Sequence, residues 1–111
     1  MRACLTALIM VSAALAAGTS PACAGDAVAG RQKALQCQAC HGLDGMSKIP
    51  DAPHIAGQVE AYLVKAITDY KAGERKNEMM SVVAPNLSDD DIADLAAYYA
   101  SIEITVANPA Q

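Results

Sequence analysis

Between residues 59 and 72 the apolar positions Val59, Leu63, Ala66, Ile67 and Tyr70 recur at helical spacing. Glu60, Lys65, Asp69 and Lys71 lie largely off that stripe, so the segment reads as an amphipathic helix that Gly73 terminates. A second stripe of Ile92, Leu95, Ala96, Tyr99 and Ile102 marks another helix. Ser88 is its N-cap, and Asp89, Asp90 and Asp91 occupy the first turn, where the positive end of the helix dipole favours them. A third helix is predicted over Ala27–Gln38, capped by Asp26, with Val28, Ala34 and Leu35 among its apolar positions. Gly30 inside it costs about 1 kcal/mol relative to alanine, and such a glycine often marks the close approach of another backbone. The stretch 42–58 holds Gly42, Gly45, Pro50, Pro53 and Gly57 and reads as loop. So does 74–87, where the polar run Glu74–Glu78 precedes Met79-Met80. Loops of this length in a compact domain are uncommon unless they are functional. The tail from Thr105 to Gln111 reads as frayed. No strand is needed, and the pattern predicts an all-α domain of three main helices and two long loops.

The first 24 residues follow a different logic. Met1-Arg2 brings a positive charge, Ala3–Ala17 is an uncharged, alanine-rich run, and Ala22-x-Ala24 closes it as a small-residue cleavage pattern. This is the layout of a secretory signal peptide, which assigns 1–24 to a cleaved leader and 25–111 to the functional domain. The run is short for a membrane span, and a polar segment containing Pro21 closes it, so no stable membrane insertion is expected after cleavage. A lipid anchor at Cys23 fits poorly because Ser20 stands where an aliphatic residue is usual. Export places the domain in an oxidising compartment such as a bacterial periplasm.

Composition sharpens the picture. The chain of 111 residues carries a formal charge of −4, and loss of Arg2 with the leader makes the remainder more acidic. An acidic surface argues against nucleic acid or anionic membrane as partner. There is no Phe and no Trp, and only four Tyr. A domain this small with so little aromatic bulk needs an added staple or filler. Removal of the leader takes Cys4 and Cys23 with it, leaving Cys37 and Cys40, and a disulfide across so short a loop would add little.

Those two cysteines stand in Cys37-Gln38-Ala39-Cys40-His41, a C-x-x-C-H string that reads as a covalent haem attachment site. Two thiols one helical turn apart can reach the two vinyl groups on one haem edge, and the histidine that follows can turn its imidazole to the iron. A thioredoxin-like redox pair would need a β-α-β pattern that is missing here. A zinc site would need more ligands than His54 can add. A haem would also supply the missing core as a large apolar plate.

With this string in place, the sequence resembles the small bacterial monohaem class I cytochromes c over nearly all of 25–102. The resemblance rests on CQACHGLDG at 37–45, PHIAGQ at 53–58, YLVKAITDYKAG at 62–73, the Arg75-Lys76-Asn77-x-Met-Met stretch and LSDDDIADLAAYYASI at 87–102. It implies a class I cytochrome c fold wrapped around one haem c, bound through Cys37 and Cys40 with His41 as the proximal iron ligand. It also implies a methionine as second axial ligand, and the distance back from Leu87 favours Met80 over its neighbour Met79. If that segment is extended, only one of the two can face the iron easily. By the same resemblance the carbonyl of Pro53 accepts a hydrogen bond from His41, and the first and last helices cross closely at Gly30 against Tyr98-Tyr99. Ala34 departs from the larger residue usual four places after that glycine. Met46 and His54 read as loop residues, and Arg75 and Lys76 as a solvated charge pair or as neighbours of a haem propionate.

The function so implied is outer-sphere transfer of single electrons between a donor and an acceptor protein, with no catalytic residues, the electron leaving by the haem edge near Cys37 and Cys40. The domain would act as a monomer or as a subunit of a redox complex. Two other readings stand beside it: the electron-accepting subunit of a periplasmic dehydrogenase, and an open-site haem enzyme or sensor.

Overall fold

The computed structural model describes residues 24–108. Almost all of the expected leader lies outside the described residues. Among the described residues five α-helices follow one another: α1 (Ala27–Lys33), α2 (Gln38–His41), α3 (Glu60–Ala72), α4 (Met80–Val83) and α5 (Asp89–Ala100). Single 3-10 turns at Ala34–Gln36 and Ala84–Asn86 lead into α2 and out of α4. There is no strand among the described residues.

The organising element is α5. Ser88 accepts from the Asp91 backbone N–H while the Asp91 carboxylate accepts from the Ser88 N–H, a capping box that uses Asp in the place of the usual Glu. Such a cap is worth about 1 kcal/mol. Ile92 and Leu95 are the largest fully buried side chains, and each contributes roughly 1.5–3 kcal/mol by leaving water. The cap therefore sets where α5 begins, and packing holds it in place. Ala34, Leu63, Leu87, Ala96 and Tyr99 complete the core cluster.

Helix α1, at seven residues, is too short to persist alone. It lies along α5. The Asp26 carboxylate accepts from the N–H groups of Val28 and Ala29, and the Asp26 N–H donates to Asp94 of α5 at 2.7 Å. Lys33 at the other end sits 2.7 Å from both Asp91 and Asp94. Its ammonium, with the capping bonds from Ser88, holds the Asp91 carboxyl down at about 2. Between these anchors Gly30 is buried, and a Cβ there would fall 1.9 Å from the Asp94 carbonyl oxygen and 2.8 Å from Tyr98 Cβ. The close crossing expected at Gly30 is present, and the small Ala34 does not loosen it: Ala34 is fully buried. Gly30→Val is expected to cost more than the ordinary 1–3 kcal/mol of overpacking, because the obstacle is backbone, and a urea titration followed by circular dichroism would read it.

Two expectations are corrected. The first helix does not run unbroken to Gln38: it stops at Lys33, tightens into the 3-10 turn and restarts at Gln38. In a 3-10 turn residues i and i+3 stack on one side, so Cys37 follows Ala34 inward and packs against the core. Nor is 74–87 wholly loop, since α4 and a 3-10 turn occupy its second half. The 42–58 segment is a loop, as read, and the helix after it starts at Glu60, one residue later than the pattern suggested. At Gly45, φ is +69° and a Cβ would meet the Ala56 backbone at 2.6 Å. The Gly45 carbonyl accepts from the N–H groups of Ile55 (2.8 Å) and Ala56 (3.1 Å), which folds the loop back on itself.

Candidate functional site

Helix α2 is one turn long and carries Cys40 and His41, with Cys37 just before it. The His41 N–H donates to the Cys37 carbonyl at 3.0 Å, so the cysteines and the histidine share one hydrogen-bonded turn. Both cysteines are free thiols, half-buried. Burial, with a smaller contribution from Cys40, pushes the Cys37 thiol up to about 11. His41 is 9 % exposed, and its Nδ1 lies 3.0 Å from the Pro53 carbonyl oxygen. A carbonyl can only accept, so Nδ1 carries the proton and the Nε2 lone pair is left free. The Gly45 pinch described above returns the chain so that Pro53 reaches the ring.

Cys37, Cys40 and His41 line a cavity of about 810 Å³. Its other walls come from α3 (Tyr62, Leu63, Ala66, Ile67, Tyr70), α5 (Leu95, Tyr99), Leu87, and Met79, Met80 and Val83 around α4. Leu63, Ala66, Ile67 and Tyr70 of the apolar stripe read in α3 thus line this space, and of the stripe only Leu63 is buried. Asp51, Arg75 and Glu78 are the charged residues on the lining. The Arg75 guanidinium lies 4.8 Å above the Tyr70 ring and 3.5 Å from the Tyr62 hydroxyl, which holds its pKa above the usual value.

Met79 and Met80 do not lie in extended chain. The Asn77 side-chain oxygen accepts from the N–H of each, at 3.0 Å, and starts a helical turn. Neighbours on such a turn differ by about 100° in direction, so both touch the cavity. Met80 is half-buried and Met79 is 59 % exposed. Asn77 belongs to the stretch that carries the family resemblance, but its role in starting this turn was not read, though an Asn just ahead of a short apolar turn is a usable signal. The walls supplied by Tyr62, Tyr70 and Tyr99 were likewise unread as parts of the site. Met46 and His54 are not on the lining: Met46 is 42 % exposed, and the exposed His54 accepts from the Ser47 N–H through Nδ1 at 2.8 Å. No group of three His, Cys, Asp or Glu able to hold a metal is found among the described residues.

The cytochrome c family model matches residues 27–103, which takes in every element described above. The chain belongs to the cytochrome c family. It is 52 % identical over 83 residues to cytochrome c4 of Pseudomonas aeruginosa, a match that covers 75 % of this chain and 41 % of that protein. It is 48 % identical to cytochrome c-554(548) of Halomonas halodenitrificans, covering 72 % of this chain and 100 % of that one. Among solved structures, reduced recombinant cytochrome c4 from Pseudomonas stutzeri superposes with a TM-score of 0.69 at 44 % identity, over 75 % of this chain and 48 % of that one. The chain spans less than half the length of the cytochrome c4 relatives it matches.

The helical fold is that of the family, and its prosthetic group is haem c. The residues present fit it. The cavity volume falls in the upper part of the roughly 300–1,000 Å³ typical of cofactor sites. Its walls are mostly apolar, two free thiols and one histidine of fixed tautomer border it, and a single cation, Arg75, is on the lining to meet carboxylates. No helix of the described residues is long and apolar enough to cross a membrane.

Proposed function

We propose that this cytochrome c domain is a periplasmic carrier of single electrons, with residues 1–24 as the export signal removed before it works. When bound, the haem supplies a one-electron ferric–ferrous couple. Cys37 and Cys40 would hold it as thioethers, His41 Nε2 and Met80 Sδ would ligate its iron, and Pro53 would keep the His41 ring oriented and basic. A thioether on the iron favours the reduced form and raises the potential, and the apolar walls from α3 and α5 act in the same direction by excluding water. Arg75 would meet a propionate. If His41 and Met80 both ligated the iron, the chain itself would leave no room there for a substrate, which is what would separate a carrier from an enzyme or sensor.

The observation that carries this reading is the single cavity onto which two thiols, a histidine of fixed tautomer and a methionine from another element converge. The cavity also has a partly apolar border, where Ile49, Tyr62 and Met79 are 37 %, 50 % and 59 % exposed. That favours redox partners which cover apolar surface on docking, whether briefly or as a stable dehydrogenase complex. The test is to express the full precursor in a host with haem-attachment machinery and record native and denatured spectra in both oxidation states. Haem that stays with the denatured chain, a Met–iron band in the native ferric protein and a reversible one-electron titration are expected. Covalent haem without that band would point to the open-site enzyme or sensor, and a chain without covalent haem would overturn the reading.

A further inference from the structure

The carbonyl groups just after His41 are held by a distant element. Tyr99 Oη of α5 donates to the Gly42 carbonyl at 3.1 Å, and Tyr98 Oη donates to the Leu43 carbonyl at 2.7 Å. The two acceptors are adjacent in the chain, 57 and 55 residues from their donors. The two rings lie 5.1 Å apart and tilted, so neighbouring residues of one helix reach one stretch of loop. Burial raises the pKa of Tyr99 above its usual value, so its phenol remains a donor. The contact at Gly30 reaches Tyr98 only through its Cβ, so it does not account for either hydroxyl. The other supports of this stretch are local: Gly42 N–H to Gln38, Gly45 N–H to Gly42 at 3.3 Å, and Lys48 N–H to the Cys40 carbonyl.

We infer that Tyr98 and Tyr99 are positioning residues for His41, their hydroxyls fixing the backbone on its C-terminal side while Pro53 fixes its ring. The inference rests on the reading of His41 as the proximal ligand. Through these two bonds the placement of the ligand depends on α5, and through Gly30 and Lys33 on α1. With the hydroxyls removed, the Gly42 carbonyl retains the longer bond from Gly45, and the Leu43 carbonyl loses its tyrosine donor. His41 then gains freedom to tilt against the iron.

The test uses the full chain, matured with haem, as wild type, Tyr98→Phe, Tyr99→Phe, the double variant and Ser101→Ala. The Ser101 hydroxyl donates to the Tyr98 carbonyl at 2.7 Å, so its removal weakens the same end of α5 without touching the loop. Two quantities are read: the hyperfine-shifted His41 ring resonances of the ferric protein, and the midpoint potential. Both are expected to move in each Tyr→Phe variant, most in the double one, and to stay at wild-type values in Ser101→Ala. The single variants keep the test open if the double one does not fold. Wild-type resonances and potential in the single variants, or an equal displacement in Ser101→Ala, would overturn the inference. A wild-type chain without covalent haem would instead overturn the functional reading beneath it.

Discussion

Replacement of both Cys37 and Cys40 by serine is expected to abolish covalent haem and, with it, the fold. On a denaturing gel stained for haem, the wild-type band should be positive and the double variant blank; each single variant, keeping one thiol, should retain a weaker band. The expected effect on stability is large because of what the cavity represents. Without the haem, Leu63, Ile67 and Leu95 on the lining of this cavity would lose their apolar cover, at roughly 1.5–3 kcal/mol for each large side chain wetted, against the roughly 5–15 kcal/mol that holds a typical domain together. The core offers little to compensate, since the chain has no Phe or Trp and its largest fully buried side chains are Ile92 and Leu95. The double serine variant should therefore show a far-ultraviolet circular dichroism signal well below wild type and no cooperative thermal transition. A cooperative transition near the wild-type temperature without haem would mean that the helices pack by themselves and that the cavity is not where the stability lies.

The second large effect is expected at Met80. Met80→Ala should lose the Met–iron band completely, bind carbon monoxide readily in the reduced state and show a lower midpoint potential, because the thioether that favours ferrous iron is gone. Met79→Ala should keep the band, exclude carbon monoxide and change the potential little. The two residues share one turn and both line the cavity, but Met79 is 59 % exposed and Met80 is half-buried. The Asn77 side chain holds both backbone N–H groups, so the turn survives either substitution. Loss of the band in Met79→Ala with retention in Met80→Ala would reverse the assignment. Loss in neither would remove methionine ligation from the proposal altogether.

Much of this was legible in the linear chain because it is local. The C-x-x-C-H string puts its thiols and imidazole within five consecutive residues, so attachment chemistry needs no tertiary information. The stripes of α3 and α5, the Ser88 cap and the stop at Gly73 are likewise set by neighbours within a turn or two. The crossing at Gly30 is a half-way case: a helical glycine announces a close approach, yet the Asp94 carbonyl and Tyr98 Cβ that would meet its missing side chain lie in a helix more than sixty residues on.

Local patterns gave the wrong account where a long-range requirement overrode them. The pattern over 27–38 suits one helix, but the chain breaks it with a 3-10 turn so that Cys37 stacks under Ala34 and faces the interior. Periodicity could not choose between Met79 and Met80, and the assumption of extended chain there failed because Asn77 starts a helical turn.

By itself, then, the sequence determined the helical class, the kind of prosthetic group and the residues proposed to attach it, since each follows from spacing along the chain or from a core too poor in aromatics to stand unaided. Only the tertiary structure decided which side chains wall the cavity and which hydroxyls of α5 hold the loop after His41. Those are meetings of residues far apart in the chain, 55 and 57 positions for the two hydroxyls, and hydropathy along a chain records which positions seek the interior but not which of them meet there.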